Sequence, residues 1–190
     1  MNGSMNGGPF DWIRRMGVHE AYHLSPINRL IHWICIPIEL AAVLKLFALV
    51  PAPRDLSLLA IVLVGAVYVA ADVVGGAVML ALLLVLRALV LPWTTGRLVL
   101  DAVMAALAFG AAFTFQTRVG HGVFERGVDD TAMNLAELAE TRNPIPTLLV
   151  FAYHGFELLF ALGYRPGLSQ AIARHRNAEL GRMRDDPRRT

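Results

Sequence analysis

Cysteine occurs once in this chain, at position 35, and lysine once, at position 45. A lone cysteine has no partner within the chain, which excludes a disulfide scaffold. Charge is scarce as well: Asp, Glu, Lys and Arg together fill 17% of 190 positions, against about a quarter in an average soluble domain. Apolar residues reach 56% and the mean hydropathy is +0.52. These values exclude a disordered or collagen-like chain and speak against an ordinary water-soluble enzyme. A secretory signal pattern is missing too, because Arg14, Arg15, Glu20 and Arg29 all precede the first long apolar run near Leu30. The class that remains is all-α, a compact transmembrane helical bundle.

The basic residues are unusual in kind. Sixteen of the seventeen are Arg, and they flank apolar runs instead of alternating with aromatics on a polar face. Contact with lipid headgroups fits that placement; nucleic acid does not.

Five apolar segments follow one another: 30–50, 56–74, 77–92, 98–117 and a weaker one at 145–162. A spanning helix takes about 20 mostly apolar residues, so the pattern predicts four to five membrane-embedded helices. Residues 1–9 read as a flexible leader, 10–166 as one membrane-embedded domain and 167–190 as an Arg-rich polar tail. Lys45 and Arg87 stand near segment ends, where long side chains snorkel to the interface. Asp101 follows Arg97 by four positions, the spacing of a helical ion pair. Asp72 has no evident partner.

Six histidines are present, and their positions carry more than their number. In YHLSPINRLIHW, Ser25 followed by Pro26 predicts a helix start, with Ser25 as N-cap and Pro26 in the first helical position. Asn28 and His32 then share a face at i, i+4. The break at Pro26 frees His23 to turn toward His32. A second cluster, GHGVFE at 120–125, places His121 and Glu125 at i, i+4. If the first four segments all span, an even number of crossings separates His32 from His121, and both clusters meet at one membrane face. Three neutral imidazoles, with or without a carboxylate, suit Fe(II) or Zn(II) and leave positions open. Each residue also has a plainer reading: an interfacial histidine, Asn28 as a cap, Glu125 as a hydrogen-bond partner of His121.

Tyr22-His23, Pro26, Asn28, His32 and Pro37, then Gly120-His121-Gly122-Val123-Phe124-Glu125, then Phe156-Glu157 and Leu162-Gly163-Tyr164 together resemble the Mpo1-like family of small membrane proteins. The similarity runs in order over about residues 18–166. It implies an Fe(2+)-dependent dioxygenase that converts a 2-hydroxy fatty acid and O2 to the fatty acid one carbon shorter and CO2. The histidines it implies are His23, His32 and His121, whereas His19, His154 and His175 have no counterpart. Two departures stand out. Arg126-Gly127-Val128 follows Glu125 where the family has a basic pair and Pro-Ala-Leu. Thr117 occupies the position of a family glutamine, with Gln116 one place off.

On this reading Glu125 orients His121 or moves a proton, Asn28 hydrogen-bonds substrate or a ligand, and Arg29 or Arg118 attracts the fatty acid carboxylate. The expected partners are a 2-hydroxy fatty acid, O2 and membrane lipids, with room for a second copy of the chain and no nucleic acid. The expected location is a bacterial inner membrane or the endoplasmic reticulum, with the site facing the cytoplasm. A zinc-dependent lipid hydrolase on the same scaffold, and a non-enzymatic scaffold or transporter with structural histidines, are the alternatives.

Overall fold

The computed structural model describes residues 12–125 and 145–185, together with positions 139 and 142. Every regular element among them is helical: α1 (Trp12–Ala21), α2 (Pro26–Leu49), α3 (Leu56–Ala71), α4 (Val73–Val90), α5 (Leu98–Phe115), α6 (Ile145–Ala161) and α7 (Pro166–Asp185). A π-helical stretch, Gln116–Phe124, continues α5 without a break. The described residues are therefore all-α. Residues 1–11, which include the predicted leader, lie outside the described residues, as do 126–138 and the end of the chain beyond Asp185.

Among the described residues three helices are long and apolar enough to cross a membrane: Pro26–Leu49, Val73–Val90 and Leu98–Phe124. Leu56–Ala71 is apolar but only 16 residues long, short of the ~20 that a perpendicular crossing takes. Of the predicted four to five embedded helices, three reach spanning length among the described residues; the other two predicted segments form shorter helices, Leu56–Ala71 and Ile145–Ala161.

The predicted start of α2 is present. Ser25 is in extended backbone, its hydroxyl accepts from the Asn28 N–H at 3.4 Å, and Pro26 occupies the first turn. Asn28, His32, Cys35, Glu39 and Ala42 are all buried. Their alternating steps of four and three draw one inward stripe along the helix.

The break between α3 and α4 falls at Asp72, inside the second predicted segment and not in the gap between 74 and 77. Asp72 ends α3 in extended backbone, and its carboxylate caps α4 by accepting from the Gly75 N–H at 2.9 Å. Gly76 instead serves the helix crossing, since a Cβ there would lie 2.4 Å from the backbone of Tyr68 and Val69. At the open end of this hairpin Arg87 donates from Nε to the Ser57 hydroxyl at 2.9 Å and pairs with Asp55. Arg87 therefore closes the hairpin instead of snorkelling alone.

Asp101 also departs from expectation. Its carboxylate accepts from the Thr94 hydroxyl (2.6 Å), the Thr95 N–H (2.8 Å) and the Thr95 hydroxyl (2.7 Å), so it anchors the α4–α5 turn in place of an ion pair with Arg97. Lys45, expected to reach out along its helix end, is buried.

The chain forms two compact units, Met1–Tyr22 with Asp130–Thr190, and His23–Asp129. In the first, α1 packs on α6 and α7. Trp12 stacks on Phe156 at 5.0 Å between ring centroids, and Met16, Tyr153 and Ile172 are fully buried. Most of the stretch expected to be a solvated tail is α7, which buries Leu168 and Ile172 while Arg174, Arg182 and Arg184 stay exposed. In the second unit α2 is central and touches α3, α4, α5 and the π stretch.

Candidate metal centre

Three elements of the second unit each deliver one imidazole. His23 lies in the extended residues before α2, His32 one turn and a half into it, and His121 in the π stretch. All three are buried, with 3–4% of their surface exposed. The Nε2 of His32 lies 3.2 Å from the Nε2 of His23 and 3.2 Å from the Nε2 of His121. The rings stand nearly perpendicular to one another, crossing at 81–88° with centroids 4.5–4.9 Å apart.

These separations are those of ligands to one ion. Two nitrogens each about 2.1 Å from a metal sit about 3.0 Å apart at a right angle and about 3.4 Å apart at the tetrahedral angle. The observed 3.2 Å falls between the two. Tautomer chemistry agrees. His32 Nδ1 lies 2.9 Å from the carbonyl oxygen of Asn28, which can only accept, so Nδ1 carries the proton and Nε2 presents a bare lone pair inward. His23, His32 and His121 form the one group of three or more potential ligands that the described residues bring within 4.8 Å.

Glu125 joins the two halves of the centre from outside the ring cluster. It ends the π stretch, and its Oε1 accepts from the Ser25 N–H at 2.7 Å and from the Asn28 side-chain amide at 3.3 Å. It therefore bonds the start of α2, not His121 as the i, i+4 spacing suggested. Asn28 is fully buried; its Oδ1 has no hydrogen-bond donor among the described residues. Gly120 makes this approach possible, because a Cβ on it would sit 2.3 Å from that oxygen.

The π stretch resolves the displaced glutamine. Gln116 is buried, whereas the Thr117 hydroxyl turns back to the carbonyls of Phe113 (2.8 Å) and Thr114 (3.2 Å). One extra residue per turn, the i→i+5 pattern, brings Gln116 and His121 inward together.

Arg29 and Arg118 are both exposed, in the first turn of α2 and in the π stretch. Arg118 ends an open groove of about 550 Å³ on the outer side of α5, floored by Ala106, Gly110 and Thr114 and flanked by Phe115. His19, His154 and His175 belong to the other unit. Glu39 is a buried residue that the sequence reading passed over, although it follows His32 by seven positions and so lies on the same helix face. Comparison with known protein families, with characterised proteins and with solved structures finds no match.

Proposed function

We propose that His23, His32 and His121 hold a ferrous iron and that the chain is a membrane-embedded 2-hydroxy fatty acid dioxygenase. One observation carries this reading: three buried Nε2 atoms, brought from residues 98 positions apart, converge at ligand spacing at one end of two spanning helices. The order and spacing of the histidine motifs, which resemble the Mpo1-like family, select the reaction. Three neutral nitrogens leave coordination positions free for O2 and a chelating substrate. Bound there, iron would supply the one-electron chemistry that lets O2 react with a closed-shell acid.

The overall change is RCH(OH)COO⁻ + O2 → RCOO⁻ + CO2 + H2O. The C1–C2 bond breaks, C2 is oxidised to a carboxylate, and O2 is reduced. Asn28 Oδ1, buried and lacking a donor, accepts from the substrate's 2-hydroxyl. Arg118, exposed at the end of its apolar groove on the outer side of α5, attracts the carboxylate of a substrate approaching from the lipid, before the acid reaches the centre. The burial of all three imidazoles excludes bulk water from the reacting atoms. The site opens to the cytoplasm, in a bacterial inner membrane or the endoplasmic reticulum, with α3 embedded beside the three longer helices.

The test is direct. Protein purified without oxygen and loaded with ferrous iron is given 2-hydroxypalmitate and O2, and pentadecanoate is sought. Product from the wild type and none from His121→Ala supports the reading. A zinc-dependent cleavage without O2 uptake replaces it with the hydrolase, and no bound metal leaves a helical scaffold.

A further inference from the structure

Of the three helices of spanning length, Leu98–Phe124 is the least enclosed: 17% of its apolar stretch is buried, against 44% in Pro26–Leu49 and 22% in Val73–Val90. Its outward surface is mostly bulky, with Leu107, Phe109, Phe113 and Phe115 exposed. Between such side chains it sinks into an open groove of about 550 Å³, floored by Ala106, Gly110, Ala111 and Thr114. The chain's own packing does not ask for this dip. A Cβ on Gly110 would meet nothing within 4 Å, and glycine inside a helix is less stable than alanine. A helix weakened there with no gain in internal packing has its reason outside the chain.

The groove's depth in a bilayer narrows what that is. The 18 residues of α5 rise ~27 Å, close to the ~30 Å of a hydrocarbon core. Arg118, three positions past Phe115, then stands at headgroup level, and Ala106, halfway along α5, at the bilayer centre. The groove runs through one leaflet and stops. Beyond Ala106 the exposed residues are large again, Met104, Val103 and Val99. A second helix would need a shallow track across both leaflets. An acyl chain with its head at the interface needs only one.

The head that fits is an anion. Arg118 is exposed at the groove's outer end, and among the described residues no carboxylate pairs with it. Glu125, the next acid along the chain, is taken up by the Ser25 N–H and the Asn28 amide. A planar guanidinium holds a carboxylate through two parallel N–H donors. The described lining comes from α5 and the start of the π stretch alone, a width that suits one chain and not the paired chains of a phospholipid.

We propose that this groove is a binding site for an unesterified fatty acid, its chain laid along α5 from Ala106 to Thr114 and its carboxylate on Arg118. The site is separate from the histidine centre: Arg118 and His121 share the π stretch, but Arg118 is exposed and His121 buried. The choice of a carboxylate head rests on the fatty acid reading proposed above; the groove and its cation do not.

The test uses the full chain in nanodiscs of zwitterionic phospholipid, with palmitate bearing a diazirine at its methyl end as the probe. After illumination, adducts should concentrate on 106–111 and be displaced by unlabelled palmitate. Arg118→Gln should cut this labelling about ten-fold, the scale of losing a charge-assisted bond. Gly110→Phe should abolish it by filling the floor, with the helical circular dichroism unchanged because the added ring meets open space. A probe alcohol of equal chain length, uncharged, should label the wild type no better than palmitate labels Arg118→Gln.

Labelling spread evenly over other exposed apolar residues, such as Leu63 and Val85, overturns the proposal. So does labelling that survives in both variants. Displacement by phosphatidylglycerol and not by palmitate gives the groove to a phospholipid, and chain-to-chain cross-linking of Gly110→Cys gives it to a second copy; either result overturns the proposal too. His121→Ala should label like the wild type. A wild type that takes no iron yet labels as expected rejects the metal centre alone, and one that takes iron without labelling rejects the groove alone.

Discussion

His32 donates its Nδ1–H to the carbonyl of Asn28, one turn back on the same helix, at 2.9 Å. That single bond decides what the centre is able to do. It fixes the imidazole's tautomer and rotation, so the other nitrogen points inward unprotonated. A backbone carbonyl performs the task, which leaves the Asn28 side chain free for two others. Its amide N–H reaches Glu125, and its oxygen remains bare beside Gly120.

If the three nitrogens hold an ion, removing one ligand should empty the site without unfolding the bundle. His121→Ala is expected to fall from about one iron per chain to less than a tenth of that, as befits a three-ligand site reduced to two. Elemental analysis of anaerobically purified protein, alongside the helical circular dichroism signal, checks both halves. Retained metal would place the ion elsewhere.

Gly120 is the tightest point of the site. A methyl group there meets Asn28 Oδ1 at 2.3 Å, so Gly120→Ala must push α2 and the π stretch apart. The expected loss is about 1–3 kcal/mol, typical of overpacking, and metal affinity should fall with it. Gly122→Ala is the control, since its nearest neighbour would be the Thr117 carbonyl at 3.7 Å. Thermal melting in detergent should separate the two variants clearly.

Glu125 binds two donors with one oxygen, the Ser25 N–H and the Asn28 amide. Glu125→Ala strands both at a partly buried spot, at about 1–3 kcal/mol. Glu125→Gln retains an acceptor oxygen and should lose less. Were Glu125 instead a proton carrier that the fold does not need, the two variants would melt alike and differ only in turnover.

Much of this centre is legible in the chain. Ser25-Pro26 marks the helix start by simple capping rules, and the meeting of His121 with His32 was expected from four spanning segments, of which three reach spanning length among the described residues. Pairings across helices were not legible. Arg87 with Asp55, and Asp101 with the two threonines, depend on which helix ends meet, and local spacing favoured wrong partners for Asp101 and none for Arg87. Glu39 went unnoticed because it sits inside a run that reads as apolar, although its step of seven from His32 places it on the inner face. The π turn is invisible to any reading in steps of 3.6, and it alone explains why Gln116, not Thr117, is buried.

The hairpin end offers a pH test away from the centre. The Ser57 hydroxyl, the Leu58 N–H and Arg87 all stabilise the charged form of Asp55 and hold its pKa at about 2, below the ordinary 3.8. A carboxylate with a lowered pKa contributes its stability above the ordinary value and loses it as pH falls toward the folded one. Melting should therefore be flat near neutrality and decline between about pH 4 and pH 2. Asp55 is 37% exposed by side chain, so solvent screening limits its pairing to about 0.2–1 kcal/mol. Asp55→Asn should melt slightly lower at pH 6 and show a shallower acid decline than the wild type. An acid slope as steep in Asp55→Asn as in the wild type would mean that other carboxylates govern it, and that the Arg87–Asp55 contact contributes nothing measurable.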